Sequence, residues 1–151
     1  MIELITVSEN FSGPDLRAAY RIHQKAHASP WSFSTFEDCF TPPYYGVLAY
    51  SDDAVAGYAI MLEVVDEATL MDIAVGESRR SRGVGQALVD NVVRKSAENN
   101  MAVIWLEVRQ SNQAAIALYN KNGFEHIDTR KNYYSTPTGK ENALIMRLKG
   151  F

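Results

Sequence analysis

The feature that most constrains the fold is the run Met101–Val108 (MAVIWLEV), which is apolar at almost every position. A strand exposed on one side alternates apolar and polar residues, whereas a strand covered on both faces does not. Helical patterns flank this run: residues 83–99 repeat apolar side chains at helical spacing, and residues 113–122 follow a capping asparagine. A buried strand between two helices predicts a sheet that carries helices on its faces.

The remaining patterns predict more strands than helices. Helices are expected from Pro14 to about Ala28 and from Ser34 to Phe40. Further strands are expected at Glu3–Val7, Tyr44–Tyr50, Val55–Val65, Thr69–Val75, Phe124–Arg130 and Asn142–Leu148, the last two joined by a turn-rich loop. The order β-α-α-β-β-β-α-β-α-β-β predicts one mixed α/β (α+β) domain over residues 1–151, with an antiparallel front and six or seven strands.

Composition excludes several classes of function. With a formal net charge of -3 and a pI near 5.6, the chain lacks the basic balance of a nonspecific nucleic-acid binder. No apolar run reaches the roughly 18–20 residues that span a bilayer, and the single cysteine, Cys39, excludes an intramolecular disulfide. His23 and His27 are four residues apart, but no nearby carboxylate or third histidine completes a metal site. We expect a cytoplasmic protein with no metal, nucleic-acid or membrane partner.

The segment Arg80-Ser81-Arg82-Gly83-Val84-Gly85 follows a predicted strand and opens a predicted helix. The first amides of a helix lack intrahelical partners, and the helix dipole favours an anion there. Two arginines add positive charge, so the segment indicates a pyrophosphate cradle; a glycine-rich turn with two solvated arginines is the alternative. The P-loop lysine is absent, and Leu88 stands where a dinucleotide fingerprint has glycine. A phosphate-bearing cofactor other than a dinucleotide fits better.

Two motifs resemble those of the GCN5-related N-acetyltransferases. The first is Arg80-x-x-Gly83-x-Gly85 after a strand that ends at Val75, and the second is Trp105–Phe124 (WLEVRQSNQAAIALYNKNGF). The stretches Ala26–Phe36, Asp66–Leu70 and Arg130–Tyr134 narrow the resemblance to bacterial enzymes that acetylate the N-terminal alanine of a small-subunit ribosomal protein.

The resemblance implies acetyl-CoA as co-substrate and a mostly antiparallel sheet that splays between two parallel strands. It implies that the pantetheine arm pairs with the strand at Ile73, Ala74 and Val75. The CoA pyrophosphate is expected on the segment Arg80, Ser81, Arg82, Gly83, Val84, Gly85 and Gln86. Asn112 is a candidate helix cap and pantetheine ligand, and Lys121 a candidate partner of the CoA phosphates.

Two residues are candidates for proton transfer. Glu107 interrupts the apolar strand, where a buried carboxylate is costly unless it is paired or used, and the resemblance implies that it is the general base. Its alternative is an ion pair with Arg109 or another cation. Tyr119 shares a helix face with Asn112, and the resemblance makes it the acid that protonates the CoA thiolate; its alternative is a core tyrosine that anchors helix to sheet.

The acceptor side is predicted from four residues. Tyr133 and Tyr134 are expected in the last long loop, where they either close over a peptide or pack as an aromatic cluster. The resemblance also places Trp31 in the acceptor groove. Asp72 stands where close relatives often carry asparagine, and it either favours a cationic peptide end or is solvated. The expected acceptor is the N-terminus of a ribosomal protein, and the expected state is a monomer or weak dimer.

Two other functions stay open from sequence. One is acetylation of a lysine side chain or of a small-molecule amine, and the other is a noncatalytic acyl-CoA-binding module.

Overall fold

The computed structural model describes residues 1–9 and 11–151. It contains seven strands and four α-helices in the predicted order. The strands are β1 (Ile2–Val7), β2 (Tyr44–Ser51), β3 (Ala54–Val64), β4 (Glu67–Val75), β5 (Val103–Arg109), β6 (Glu125–Thr136) and β7 (Gly139–Lys149). The helices are α1 (Pro14–Ala26), α2 (Phe33–Asp38), α3 (Val84–Glu98) and α4 (Gln113–Lys121), with a short 3-10 turn at Glu77–Arg79.

All seven strands form one sheet in the order β1-β2-β3-β4-β5-β7-β6. Every neighbouring pair is antiparallel except β4 and β5, which are parallel. A parallel pair needs a crossover, and α3 supplies it. The predicted mixed sheet of six or seven strands is therefore confirmed, with seven.

The two faces of the sheet carry separate apolar cores. On one face, α3 and α4 pack against side chains such as Ile104, Leu106 and Val108 of β5. On the other face, α1 and α2 pack against Leu48, Tyr58 and Ile60. The α3–α4 core covers one face of β5, whereas the α1–α2 core contains no residue of β5, so the prediction that helices cover β5 on both faces is wrong.

The parallel strands part near the middle of the sheet. Residues pair from Glu67 with Val103 to Leu70 with Leu106, where the β4–β5 pairing ends. On the other side of β4, Met61 pairs with Leu70 and Ile60 with Asp72, so that Met71 is an extra residue in a β-bulge. The splay implied by the family resemblance is thus present, and a bulge coincides with it.

Two local expectations from sequence are wrong. The helix α1 ends at Ala26 rather than Ala28, because His27 has extended backbone angles, φ -121 and ψ 137. Tyr133 and Tyr134 lie in strand β6, not in a loop, because the β6–β7 hairpin extends to a tight turn between Thr136 and Gly139. None of the helices that the structure describes is long and apolar enough to cross a membrane.

We expect Leu88→Ala to lower the free energy of unfolding by about 2–5 kcal/mol, because its fully buried side chain would leave a cavity under the sheet. Urea denaturation measures the change. Arg94→Ala, at an exposed position of the same helix, is the control and should stay within about 0.5 kcal/mol of the parent. Equal losses for the two variants would contradict this assignment of the core.

Candidate active site

The segment between β4 and α3 presents free backbone donors to solvent. Ser81 and Gly83 both have left-handed backbone angles, with φ of 63 and 84 respectively, and no side chain caps the start of α3 at Gly83. Arg80, Ser81 and Arg82 are exposed beside it. Uncapped amides at a helix N-terminus next to two guanidinium groups fit a doubly charged anion such as a pyrophosphate.

The two glycines of this segment have different structural roles. Gly83 needs its positive φ, and space around it is open. Gly85 instead lies against α4, where a Cβ would meet Cδ2 of Leu118 at 3.4 Å, an ordinary van der Waals contact. The side chain of Gln86 exchanges hydrogen bonds with Asn122 after α4, at 2.7 Å and 3.1 Å. The backbone N–H of Gln86, rather than its amide, is therefore the group available to a phosphate.

The C-terminal half of β4 has one paired edge. Ile73, Ala74 and Val75 pair with Ala59, Tyr58 and Gly57 of β3. Their other edge faces the gap toward β5, beyond the last β4–β5 pair. Backbone amides on that edge can accept an extended ligand with its own amides, which is how a strand is added to a sheet.

Glu107 is the first residue of β5 beyond its pairing with β4. Its side chain is 35% exposed, and its Oε1 lies 3.4 Å from an Arg130 guanidinium nitrogen. The expectation that Glu107 is buried is wrong, because it points to the sheet face that α1 and α2 leave open here. The cation beside it is Arg130; Arg109 instead pairs with Glu141, at 2.9 Å.

Tyr119 lies on the opposite face of the sheet from Glu107. It is 5% exposed, belongs to the α3–α4 core, and packs on Phe124 with ring centroids 5.7 Å apart. Burial, with a smaller contribution from the Asp72 charge, raises the pKa of Tyr119 above its usual range. The phenol therefore stays protonated at neutral pH and can donate.

Asn112 and Lys121 lie at the two ends of α4. The Asn112 side chain caps the helix by accepting from the Ala115 amide at 3.2 Å, and it is exposed. Lys121 is exposed in the last turn. The cap accounts for the residue type at 112, and it leaves the Asn112 amide NH2 and the Lys121 ammonium as the groups that could reach a ligand alongside α4.

The predicted acceptor residues lie on or beside the sheet face that also carries α1, α2 and Glu107. Trp31 is held through its backbone, which donates to His23 Nε2 at 3.0 Å and accepts from the Tyr20 hydroxyl at 2.7 Å. Tyr133 and Tyr134 pack edge to face, 5.0 Å apart. An Arg109 guanidinium lies 4.2 Å over the Tyr134 ring. Tyr134 lies near Glu107, and burial together with the smaller effect of the Glu107 charge raises the pKa of its phenol; Trp31 lies beside α1.

Asp72 is buried, so the alternative that it is solvated is wrong. Its Oδ2 accepts from the Tyr58 hydroxyl at 2.6 Å and from His23 Nδ1 at 2.8 Å, while its Oδ1 accepts from His27 Nε2 at 2.8 Å. The expectation that no carboxylate lies near His23 and His27 is also wrong, since candidate ligand atoms of these three side chains lie within 4.8 Å of one another. Because both nitrogens of His23 are engaged with protein groups, the geometry is that of a hydrogen-bond network.

The network keeps Asp72 ionised. Burial alone would raise the pKa of this carboxyl, but hydrogen bonds from His23, His27 and Tyr58 outweigh it and lower the pKa from 3.8 to about 2. Cys39, at the end of α2, has its pKa raised to about 11 by burial and by the charges of Asp38 and Asp72. A protonated thiol is a poor nucleophile, which favours direct attack by an acceptor over a covalent intermediate.

Sequence reasoning identified Asp72 but not the residues that hold it. Tyr58 lies within a predicted strand and the two histidines within the predicted first helix, and neither pattern indicates a contact with Asp72. The i, i+4 spacing of His23 and His27 was the available signal, since it puts both rings on one helix face.

We expect Asp72→Asn to lower the free energy of unfolding at neutral pH by about 1.5–3 kcal/mol, because three donors lose a charged acceptor. The folded pKa lies below the unfolded one, so the contribution is fully present above about pH 4 and is lost as pH falls toward 2. Urea denaturation from pH 7 to pH 2 measures both the loss of stability at neutral pH and its dependence on pH.

The difference in stability between the parent and Asp72→Asn should shrink across that acid window. Asp66→Asn, at an exposed carboxylate, is the control and should change stability little. A difference that is constant from pH 7 to pH 2 would contradict the charged role of Asp72.

Comparison with known proteins identifies relatives along most of the chain. A profile of the acetyltransferase (GNAT) family matches residues 14–124. The chain is 44% identical over 134 residues to the ribosomal protein bS18 alanine N-acetyltransferase of Escherichia coli, covering 89% of this chain and 90% of that protein. It is 39% identical over 133 residues to the protein of the same name from Haemophilus influenzae, covering 87% of this chain and 90% of that one.

The fold has a similar relative among solved structures. The crystal structure of the ribosomal-protein-S18-alanine N-acetyltransferase from Escherichia coli superposes with a TM-score of 0.90 and 40% sequence identity. The match covers 99% of this chain and 94% of that chain.

Proposed function

The chain belongs to the acetyltransferase (GNAT) family, and on that premise we propose that it acetylates the N-terminal alanine of ribosomal protein bS18. The family membership confirms the resemblance read from the two motifs, and with it an enzyme that transfers acetyl from acetyl-CoA to an amine. The single observation that carries the choice of acceptor is the 44% identity, over 89% of the chain, to an enzyme named for that substrate.

The cofactor side is proposed from the geometry of two segments. The amides of residues 80–86 with Arg80 and Arg82 would hold the CoA pyrophosphate, and Asn112 and Lys121 would contact the arm and the phosphates from α4. The free edge of Ile73–Val75 would pair with the pantetheine amides, which brings the thioester to the bulge at Met71. The acetyl group is then at the point where β4 and β5 part.

The two candidate proton-transfer groups flank that point. Glu107 on the open face is proposed as a base that removes a proton from the acceptor nitrogen, directly or through water. Tyr119 on the buried face is proposed to donate its phenolic proton to the departing CoA thiolate. A base and an acid on opposite faces of the splay suit attack from one side and departure from the other.

The acceptor is proposed to lie on the open face between Trp31 and the Tyr133–Tyr134 pair. An extended N-terminal segment fits there, because the backbone at Trp31 is held on both sides and the tyrosines form the facing wall. The net charge of -3 favours a protein acceptor over nucleic acid. We propose one cytoplasmic domain over residues 1–151, monomeric or weakly dimeric, acting without a metal.

The direct test is incubation of the pure protein with acetyl-CoA and a peptide that copies the mature N-terminus of bS18, followed by mass spectrometry. Acetyl on the α-amine, and none on the same peptide with a blocked N-terminus, would support the proposal. Acetyl on a lysine, or on small amines only, would favour the other acceptor class. CoA binding without any product would favour a noncatalytic module.

We expect Glu107→Gln to lower kcat about 100-fold or more at neutral pH, because the amide keeps the shape but cannot take a proton. The Kd for CoA should be unchanged, since Glu107 lies on the acceptor face. Glu125→Gln, at an exposed position of β6, is the control. An unchanged kcat would remove Glu107 as a base.

We expect the double variant Arg80→Ala/Arg82→Ala to weaken CoA binding about 10-fold or more, since charge-assisted hydrogen bonds contribute about 1.5–3 kcal/mol. Isothermal titration calorimetry at two salt concentrations measures the Kd and its salt dependence. Arg94→Ala, at the far end of α3, should bind CoA like the parent. Equal affinity of parent and double variant would contradict the proposed phosphate site.

A further inference from the structure

The network around Asp72 contains one histidine nitrogen that is not committed to the protein. His27 is the C-cap residue of α1, and its side chain is 35% exposed. Its Nε2 lies 2.8 Å from Asp72 Oδ1. Because Asp72 is ionised and can only accept, His27 Nε2 carries the hydrogen. Its other nitrogen, Nδ1, makes no hydrogen bond among residues 1–9 and 11–151.

His23 is engaged at both nitrogens and is a useful contrast. The Trp31 amide donates to its Nε2, so that nitrogen is the acceptor, and Nδ1 must carry the hydrogen that goes to Asp72. His23 is 2% exposed. It is thus a structural residue that ties Trp31 to Asp72. His27 instead bonds Asp72 through Nε2 and leaves Nδ1 without a hydrogen bond among the described residues.

This arrangement has the chemistry of an aspartate–histidine pair. A carboxylate that accepts from one ring nitrogen fixes the tautomer, leaves the lone pair on the other nitrogen and stabilises the imidazolium when it forms. The groups that face this pair from packed elements are His23 of α1, Tyr58 of β3 and Cys39 after α2. Asp72 is the only one of these groups that carries a charge, given a protonated thiol and phenol.

The Asp72–His27 pair lies near the proposed site of acetyl transfer. Asp72 is the residue after the bulge at Met71 and precedes Ile73, on the same sheet face as Glu107. Across the gap, the Asp72 charge contributes to the raised pKa of Tyr119. Trp31, a proposed wall of the acceptor groove, has its ring centroid 5.0 Å from that of His23, with the rings tilted. The exposed edge of His27 is therefore at the α1 end of that groove.

Acetylation requires two protons to leave the acceptor nitrogen. The ammonium must lose one before its electron pair can attack, and the nitrogen loses a second after the C–N bond forms. Glu107 is one candidate base, but its Oε1 also forms an ion pair with an Arg130 guanidinium nitrogen at 3.4 Å. One carboxylate would have to discharge its proton between the two transfers.

Resting on the proposed function, we infer that His27, positioned by Asp72, is the catalytic residue that takes the first proton from the acceptor ammonium. The N–H bond breaks with its electron pair left on the nitrogen, and an Nδ1–H bond forms on His27. The resulting imidazolium faces Asp72 and releases its proton to solvent through its exposed edge. Glu107 accepts the second proton after attack, the C–S bond breaks as the carbonyl re-forms, and the departing thiolate takes the phenolic proton of Tyr119. Solvent protons restore the phenol, and Glu107 releases its proton to solvent, before the next turnover.

The test compares kcat/KM of His27→Gln with the parent from pH 5.5 to 9, using acetyl-CoA and the bS18 N-terminal peptide. Glutamine keeps a donor to Asp72 but cannot accept a proton at Nδ1. We expect kcat/KM to fall about 100-fold at pH 7 and much less at pH 9, where more of the peptide amine is already neutral. The Kd for CoA and the unfolding midpoint should match the parent.

A second variant and a control exclude a merely structural effect. Free imidazole should raise the activity of His27→Ala at least several-fold. It would not do so if the substitution lowered activity by distorting the acceptor groove. His126→Gln removes an exposed histidine of β6 and should keep the parent profile. The parent enzyme is also assayed with EDTA, which tests whether its activity depends on a bound metal.

The outcomes separate the role of His27 from the proposed function. Parent-like rate and pH profile in His27→Gln, or no rescue by imidazole, would overturn the role of His27 while leaving the proposed function intact. Loss of parent activity in EDTA would also overturn it, by making the cluster a metal site. A parent enzyme that acetylates other amines but not the bS18 peptide would contradict the proposed acceptor instead.

Discussion

The pairing between β4 and β5 ends after Leu70 and Leu106, and the candidate site exists because of it. Two parallel strands at the centre of a sheet would ordinarily satisfy each other along their whole length. Here one extra residue, Met71, shifts β4 against β3 and coincides with the parting of the strands. The α3–α4 core contacts both strands, and the α1–α2 core contacts β4 through Ala74. Backbone donors, a buried phenol and a carboxylate then meet at one opening.

Local signals in the sequence were enough to predict the elements of this fold. The apolar run of β5, the amphipathic pattern of α3 and the asparagine cap of α4 each report on a few neighbouring residues, and their order predicts the sheet. The proposed phosphate-binding segment could be predicted for the same reason, because residues 80–86 are continuous in the sequence. The bulge at Met71 had no such signal, because it arises from the register between β3 and β4.

What the sequence could not predict depended on contacts between distant segments. Glu107 was expected to be buried because its neighbours in β5 are apolar, yet alternate residues of a strand face opposite sides. Tyr133 and Tyr134 were assigned to a loop because proline and glycine follow them, but pairing with β7 extends the strand past both. Asp72 meets His23 and His27 across 49 and 45 positions of the chain, a separation that no motif spacing reports.

The contact between α3 and α4 has a mechanical consequence. Gly85 lies against Leu118, and Gln86 is tied to Asn122 by hydrogen bonds in both directions. The start of α3, whose amides are proposed to bind phosphate, is therefore held against the end of α4, the helix that carries Tyr119. A substitution at Gln86 or Asn122 would therefore remove a tie between the two helices and disturb both of them. The proposed phosphate segment and the proposed acid Tyr119 thus share one structural support, the contact between α3 and α4.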